Sequence, residues 1–165
     1  MATIESTKNV EELTLTFVAE FSAPVERVWQ IWEDPRLLER WWGPPTWPAT
    51  FTQHDFVVDG RSSYYMTGPE GEKAWGWWRV TAIERPHRLE FEDGFAGDDG
   101  VPDDTIPPSD AVVTLEAVDG GTRMTTVTRF RNEEHLNQML TMGMQEGMTL
   151  AMGQIDAILE ENARV

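Results

Sequence analysis

Leu13, Leu15, Phe17, Ala19 and Phe21 recur at every second position of LTLTFVAEF. That period predicts a strand with one face in a core and the other towards water. After Phe21 the spacing lengthens, and Val25, Val28, Trp29 and Trp32 form a helical stripe, with Ser22 placed as its cap and Pro24 tolerated in its first turn. Asp34-Pro35 combines an N-cap with a proline at the first helical position. It starts a second short helix carrying Leu37, Leu38, Trp41 and Trp42. Gly43 is expected in a left-handed terminal conformation, and Pro44 and Pro45 stop the helix.

From residue 50 to 130 the period returns to two. Asp59-Gly60 and Asp119-Gly120-Gly121 are hairpin signals, and GPEG at 68–71 is a further turn. The strand EKAWGWWRVTAIE has Trp75, Trp77, Arg79, Thr81 and Ile83 on one face, and Ala74, Gly76, Trp78, Val80 and Ala82 on the other. HRLEFED, AVVTLEAV and RMTTVTRF complete a set of six or seven antiparallel strands joined by short turns, which fits a curved sheet. Residues 1–11 are polar and expected to form a flexible tail before one domain over residues 12–161. The stretch 92–110 holds seven acids and no basic residue. Its core, 96–109, is expected to be a solvated acidic loop, with weak cation binding or a lid over a cavity as alternatives.

The chain then returns to helical spacing. Leu136, Met139, Leu140, Gly143, Gly147, Ala151, Ile155, Ile158 and Leu159 make a broad stripe after a possible Asn132 cap, and predict one long C-terminal helix. Gly143, Gly147 and Gly153 each cost such a helix about 1 kcal/mol against alanine, so packing must supply the difference. The small residues allow either close approach of the strands or free space beside the helix. Methionines at 139, 142, 144, 148 and 152 can repack around irregular shapes.

Composition narrows the chemistry. With no cysteine, disulfides, thiolate metal sites and thiol nucleophiles are excluded. His54, His87 and His135 have no metal-site spacing, and no phosphate-binding glycine loop or nucleophile elbow is present, so no catalytic residue, metal or cofactor is assigned. A net charge of -16 opposes nucleic acid and anionic lipid. No apolar run reaches the 18 residues of a membrane span and no secretory signal is visible, so a cytoplasmic location is expected.

Four motifs carry a resemblance over about residues 13–160. Phe21-Ser22-Ala23-Pro24 with Val28-Trp29, Trp41-Trp42-Gly43-Pro44, IERPHRL at 83–89 and MGMQEGM at 142–148, followed by Ile155 and Leu159, resemble the START-like (SRPBCC) superfamily. They are most similar to the group related to the C-terminal domain of the activator of Hsp90 ATPase. Arg85 departs from that pattern by replacing the first of two paired prolines. The resemblance implies an α+β helix-grip fold, in which a curved antiparallel sheet packs around a long C-terminal helix and two short helices follow the first strand.

With that fold, the tryptophan-rich strand and the Met/Gly helix point to noncatalytic binding or transport of a small hydrophobic or amphipathic molecule between sheet and helix. The expected lining is Tyr65, Trp75, Trp77, Phe91, Met144, Met148 and Met152, with Arg79 orienting a polar ligand group. Trp41 and Trp42 are expected to be structural, beside the cavity mouth. The resemblance also admits a polyketide cyclase- or dehydratase-like enzyme. An Hsp90 interaction and a homodimer through exposed aromatics are the corresponding partner readings.

Overall fold

The structure is a computed structural model and describes residues 3–98, 100–103 and 105–163. Strands β1 (Thr3–Asn9) and β2 (Thr14–Phe21) lead into helices α1 (Val25–Glu33) and α2 (Pro35–Trp41). Six strands follow: β3 (Ala49–His54), β4 (Arg61–Thr67), β5 (Lys73–Glu84), β6 (Arg88–Ala96), β7 (Ser109–Val118) and β8 (Gly121–Arg129). The chain closes with α3 (Glu133–Thr141), α4 (Met144–Met152) and α5 (Ile155–Ala163). All eight strands form one antiparallel sheet in the order β1-β2-β8-β7-β6-β5-β4-β3. This is the helix-grip α+β architecture, with one strand more than expected.

The additional strand is β1, which lies within the stretch expected to fray. It pairs with β2 from Thr3↔Glu20 to Asn9↔Thr14. Polar side chains hid it, because an edge strand needs only backbone partners on one side and can face water.

One face of the sheet supplies the core. Leu15, Phe17, Ala19 and Phe21 of β2, Trp78 and Val80 of β5, Leu89 and Phe91 of β6, and Val113 and Leu115 of β7 are buried there. Helices α1 and α2 close over them with Val28, Trp29, Ile31, Trp32, Leu38 and Trp41. The Asp34 side chain accepts from Arg36 N at 2.9 Å and caps α2. Ser22 does not cap α1, whose N-cap is Pro24 with no side-chain hydrogen bond.

Gly43 is required for a different reason than expected. Its φ is not positive, but a Cβ there would stand 2.1 Å from the Trp47 carbonyl oxygen and 2.9 Å from the Ala49 nitrogen. Close approach of backbone selects glycine, and the Gly43 carbonyl in turn accepts from Gln154 Nε2 at 2.8 Å.

The C-terminal helical run is interrupted. Gly143 takes φ 87° between α3 and α4, and Gly153 caps α4 before α5. Its two ends are fastened. Asn132 caps α3 through His135 N at 2.8 Å, while His135 and Leu136 are buried. At the other end Ile155, Ile158 and Leu159 are buried, Arg27 donates to the Leu159 carbonyl, and Arg40 pairs with Glu161. Between Leu136 and Ala151 no residue is fully buried. That middle span borders a hollow.

Candidate functional site

A cavity of about 430 Å³ separates the sheet from α3 and α4. The chain leaving α2 contributes Trp42, Pro44 and Trp47; the sheet contributes Tyr64, Met66, Ala74, Asp93 and Phe95. Met139, Met142, Met144, Gly147 and Met148 form the helical wall, and Pro107 and Ser109 close the side reached by the acidic loop. Its volume lies within the range of cavities that take small organic ligands, about 300–1,000 Å³.

The phase of β5 decides which side chains reach this space. Across β4 and β5, Ser62 lies opposite Trp78, Tyr64 opposite Gly76 and Met66 opposite Ala74, all on the helix-facing side. A Cβ on Gly76 would fall 2.4 Å from the Tyr64 ring, so glycine makes room for the tyrosine to lie across β5. Trp75, Trp77 and Arg79 therefore belong to the opposite face. The register shifts between Val80 and Ala82, and beyond this bulge Ile83 packs against the core although its parity matches Trp77. Reading one uninterrupted alternation obscured the change of side.

The expected lining residues consequently separate. Met144 and Met148 line the cavity, whereas Met152 is fully buried beyond it. Phe91 stacks on Trp78 with centroids 4.1 Å apart and is core. Tyr65 and Trp75 contact each other on the outer face at 4.8 Å, beneath the Lys73 ammonium. Trp77 lies across Gly94 and donates through Nε1 to the Phe95 carbonyl at 3.0 Å. Arg79 is also outside, held by Asp59 at 3.0 Å and Glu92 at 2.8 Å, and Glu92 meets Arg131 at 3.4 Å. Its guanidinium is occupied by an ion-pair chain and does not point at the cavity.

Trp41 and Trp42 have different positions. Trp41 is fully buried and donates through Nε1 to the Ile31 carbonyl at 3.0 Å. Trp42 lines the cavity, while its edge packs on Trp78 at 4.9 Å. Its Nε1 makes no hydrogen bond of regular geometry, although the indole N–H lies close enough to the Tyr64 oxygen to favour the phenolate. The opposing effect is larger: burial and nearby Asp93 hold the Tyr64 hydroxyl well above its ordinary value.

Asp93 was not singled out from the sequence. It lies opposite Trp78 on β6 and faces the cavity, with Tyr64 donating to Oδ1 at 2.9 Å. Desolvation pushes its carboxyl up to about 7, against the stabilising hydrogen bond from Tyr64. The signal was present in the alternation Leu89, Phe91, Asp93, Phe95, which puts a carboxylate in the apolar phase of a strand.

The acidic loop is folded back along β6. Ala96 bridges Pro102, Gly97 N donates to the Val101 carbonyl at 2.9 Å, and Asp103 N donates to the Phe95 carbonyl at 2.8 Å. Asp99 and Asp104 lie outside the described residues. Among the described residues, no group of three or more His, Asp or Glu side chains gathers to hold a metal, and no helix is long and apolar enough to cross a membrane.

A sheet that grips a C-terminal helical run around an apolar cavity defines a helix-grip protein of the START-like superfamily. The chain belongs to the Activator of Hsp90 ATPase homolog 1-like protein family, whose model matches residues 22–160. A solution structure of a protein from Arthrobacter aurescens is 56% identical, with 95% of this chain and 91% of that one covered and a TM-score of 0.91. A crystal structure of a Mycobacterium smegmatis protein is 48% identical, covers 96% and 97% of the two chains, and has a TM-score of 0.88. A Staphylococcus epidermidis protein shares 25% identity over 97% and 94%, with a TM-score of 0.81. No curated protein matches the chain.

Proposed function

We propose that the protein binds a small apolar or amphipathic molecule, without transforming it, in the cavity between the sheet and α3–α4. The observation that carries this reading is an apolar hollow of about 430 Å³ whose helical wall is held at both ends and contains no fully buried residue along its middle. Methionine supplies much of that wall, and its flexible thioethers can follow ligands of differing outline. Burial of apolar ligand surface contributes roughly 25 cal/mol per Å².

Gly147 provides the test. It lines the cavity, and a Cβ built on it meets no atom within 4 Å. The uncharged naphthalene dye prodan is expected to bind saturably with a blue-shifted emission. Gly147→Phe should weaken that binding at least tenfold while leaving the unfolding midpoint unchanged or raised, since glycine is the poorer helix former. Equal affinity in the two proteins would remove the cavity as the binding site.

The Asp93–Tyr64 pair supports a second reading, proton transfer on an enolisable ligand. A carboxyl titrating at about 7 exchanges protons near neutrality, as general acid–base chemistry requires. Prodan carries hydrogens α to its carbonyl, so incubation in D2O followed by mass spectrometry reads this directly. Enzyme-dependent deuteration that disappears in Asp93→Asn supports an enzyme; full retention of hydrogen leaves the binding function alone.

A further inference from the structure

Asp93 is the one carboxylate, and the one group that carries charge near neutrality, among the described residues lining the cavity. No lysine, arginine or histidine among those residues faces it. Tyr64 donates to Oδ1, and among the described residues no other group donates to the carboxyl. One oxygen is thus held in place and the other is left to an occupant. The surrounding rings of Trp42, Trp47, Tyr64 and Phe95 belong to the same cavity.

These features select by charge. A ligand carboxylate would enter a hollow with no counter-charge among the described residues and would face Asp93 directly, a like-charge juxtaposition that a partly dry site penalises. An ammonium would meet an acceptor already oriented by Tyr64, and aromatic rings of the kind that stabilise cations. The net charge of -16 adds a field that draws cations towards the protein and turns anions away. Pairing also relieves the half-buried carboxylate, which has no cation partner among the described residues.

Resting on the ligand-binding reading above, we propose that the cavity takes an apolar molecule bearing a protonated amine, with the tail among the methionines of α3–α4 and the ammonium on Asp93. Tyr64 is a positioning residue that fixes the carboxylate for this contact. The groups turned towards Asp93 leave its charge uncompensated. Tyr64 from β4 is the other titratable one, while Trp42, Ser109 of β7 and Met139, Met144 and Met148 of the helices carry no charge.

Three probes with one tail test the assignment. Decylamine, decan-1-ol and decanoate are titrated at micromolar concentration and pH 8.5, with tryptophan fluorescence and calorimetry as readouts. Decylamine is expected to bind at least tenfold more tightly than either of the others. In Asp93→Asn that advantage should vanish while decanol binding persists. A pH series on the unaltered protein gives a reading that needs no variant, because decylamine stays protonated from pH 5.5 to 8.5 and its advantage over decanol should shrink at the lower end as Asp93 takes a proton. Decanoate binding as tightly as decylamine, or an amine preference that survives Asp93→Asn, overturns the proposal and leaves the cavity standing. Failure of all three to bind overturns the cavity reading itself.

Discussion

Replacement of Trp32 by alanine is expected to destabilise the protein by about 3–5 kcal/mol, the range for emptying a buried aromatic site. The ring is fully buried. It packs edge-on against Trp41 at 4.8 Å and Trp42 at 5.9 Å, and reaches Trp78 and Phe91 at 6.1 Å each. Its Nε1 also donates to Met124 Sδ at 3.4 Å, which joins α1 to β8. Sheet, α1 and the WWGP turn therefore converge on one side chain. Because its neighbours are themselves bulky rings anchored on different elements, they cannot collapse into the space without moving backbone. Urea unfolding would read the change as a lower midpoint with little change in slope. A loss below about 1 kcal/mol would show that the aromatic cluster does not join these elements energetically.

Asp93→Asn should act in the opposite direction, and only where the carboxyl is ionised. In the unfolded chain an aspartate titrates near 3.9, whereas in the fold Asp93 is raised to about 7. Between those values the folded protein keeps a proton that the unfolded chain has released, so stability from this group falls as pH rises from about 4 to 7 and is level above. A shift of this size corresponds to about 2–4 kcal/mol, the lower figure allowing for water in the cavity. Asparagine can still accept from Tyr64 and carries no charge. The variant is thus expected to match the parent near pH 4 and to exceed it by that margin at pH 8. Urea titrations of both proteins at pH 4.5, 6 and 8 measure the difference; parallel profiles would mean that Asp93 is not desolvated in the fold.

The two variants separate what a sequence displays from what folding creates. Trp32 was legible as a member of a helical stripe, and Leu15, Phe17 and Phe21 as one face of a strand, because regular periods survive wherever an element packs on a single side. The family followed from WWGP and its companion motifs. The cavity lining did not, since both faces of β5 carry tryptophan and hydrophobicity alone assigns neither to the interior. The bulge after Val80 then changes the side on which later residues fall. Arg79 looked like a ligand anchor only while Asp59 and Glu92, 20 positions before it and 13 after it, were out of view. Asp93 was visible as a letter in the apolar phase of β6, but its meaning depends on Tyr64, brought across from β4 over Gly76. β1 was missed because its pairing is made by the backbone, and the breaks at Gly143 and Gly153 because an apolar stripe can continue through both.

The fastened ends and half-buried middle of the C-terminal run also bear on how such a protein can diversify. Residues at 155, 158 and 159 and around Asn132 maintain the grip, whereas those at 142, 144, 147 and 148 touch the hollow and none of them is fully buried. Substitution within the span can reshape the chamber at less thermodynamic cost than at the fully buried anchors, which keep the frame constant. Durability and taste are written in different stretches of one helical run, and each is free to change without rewriting the other.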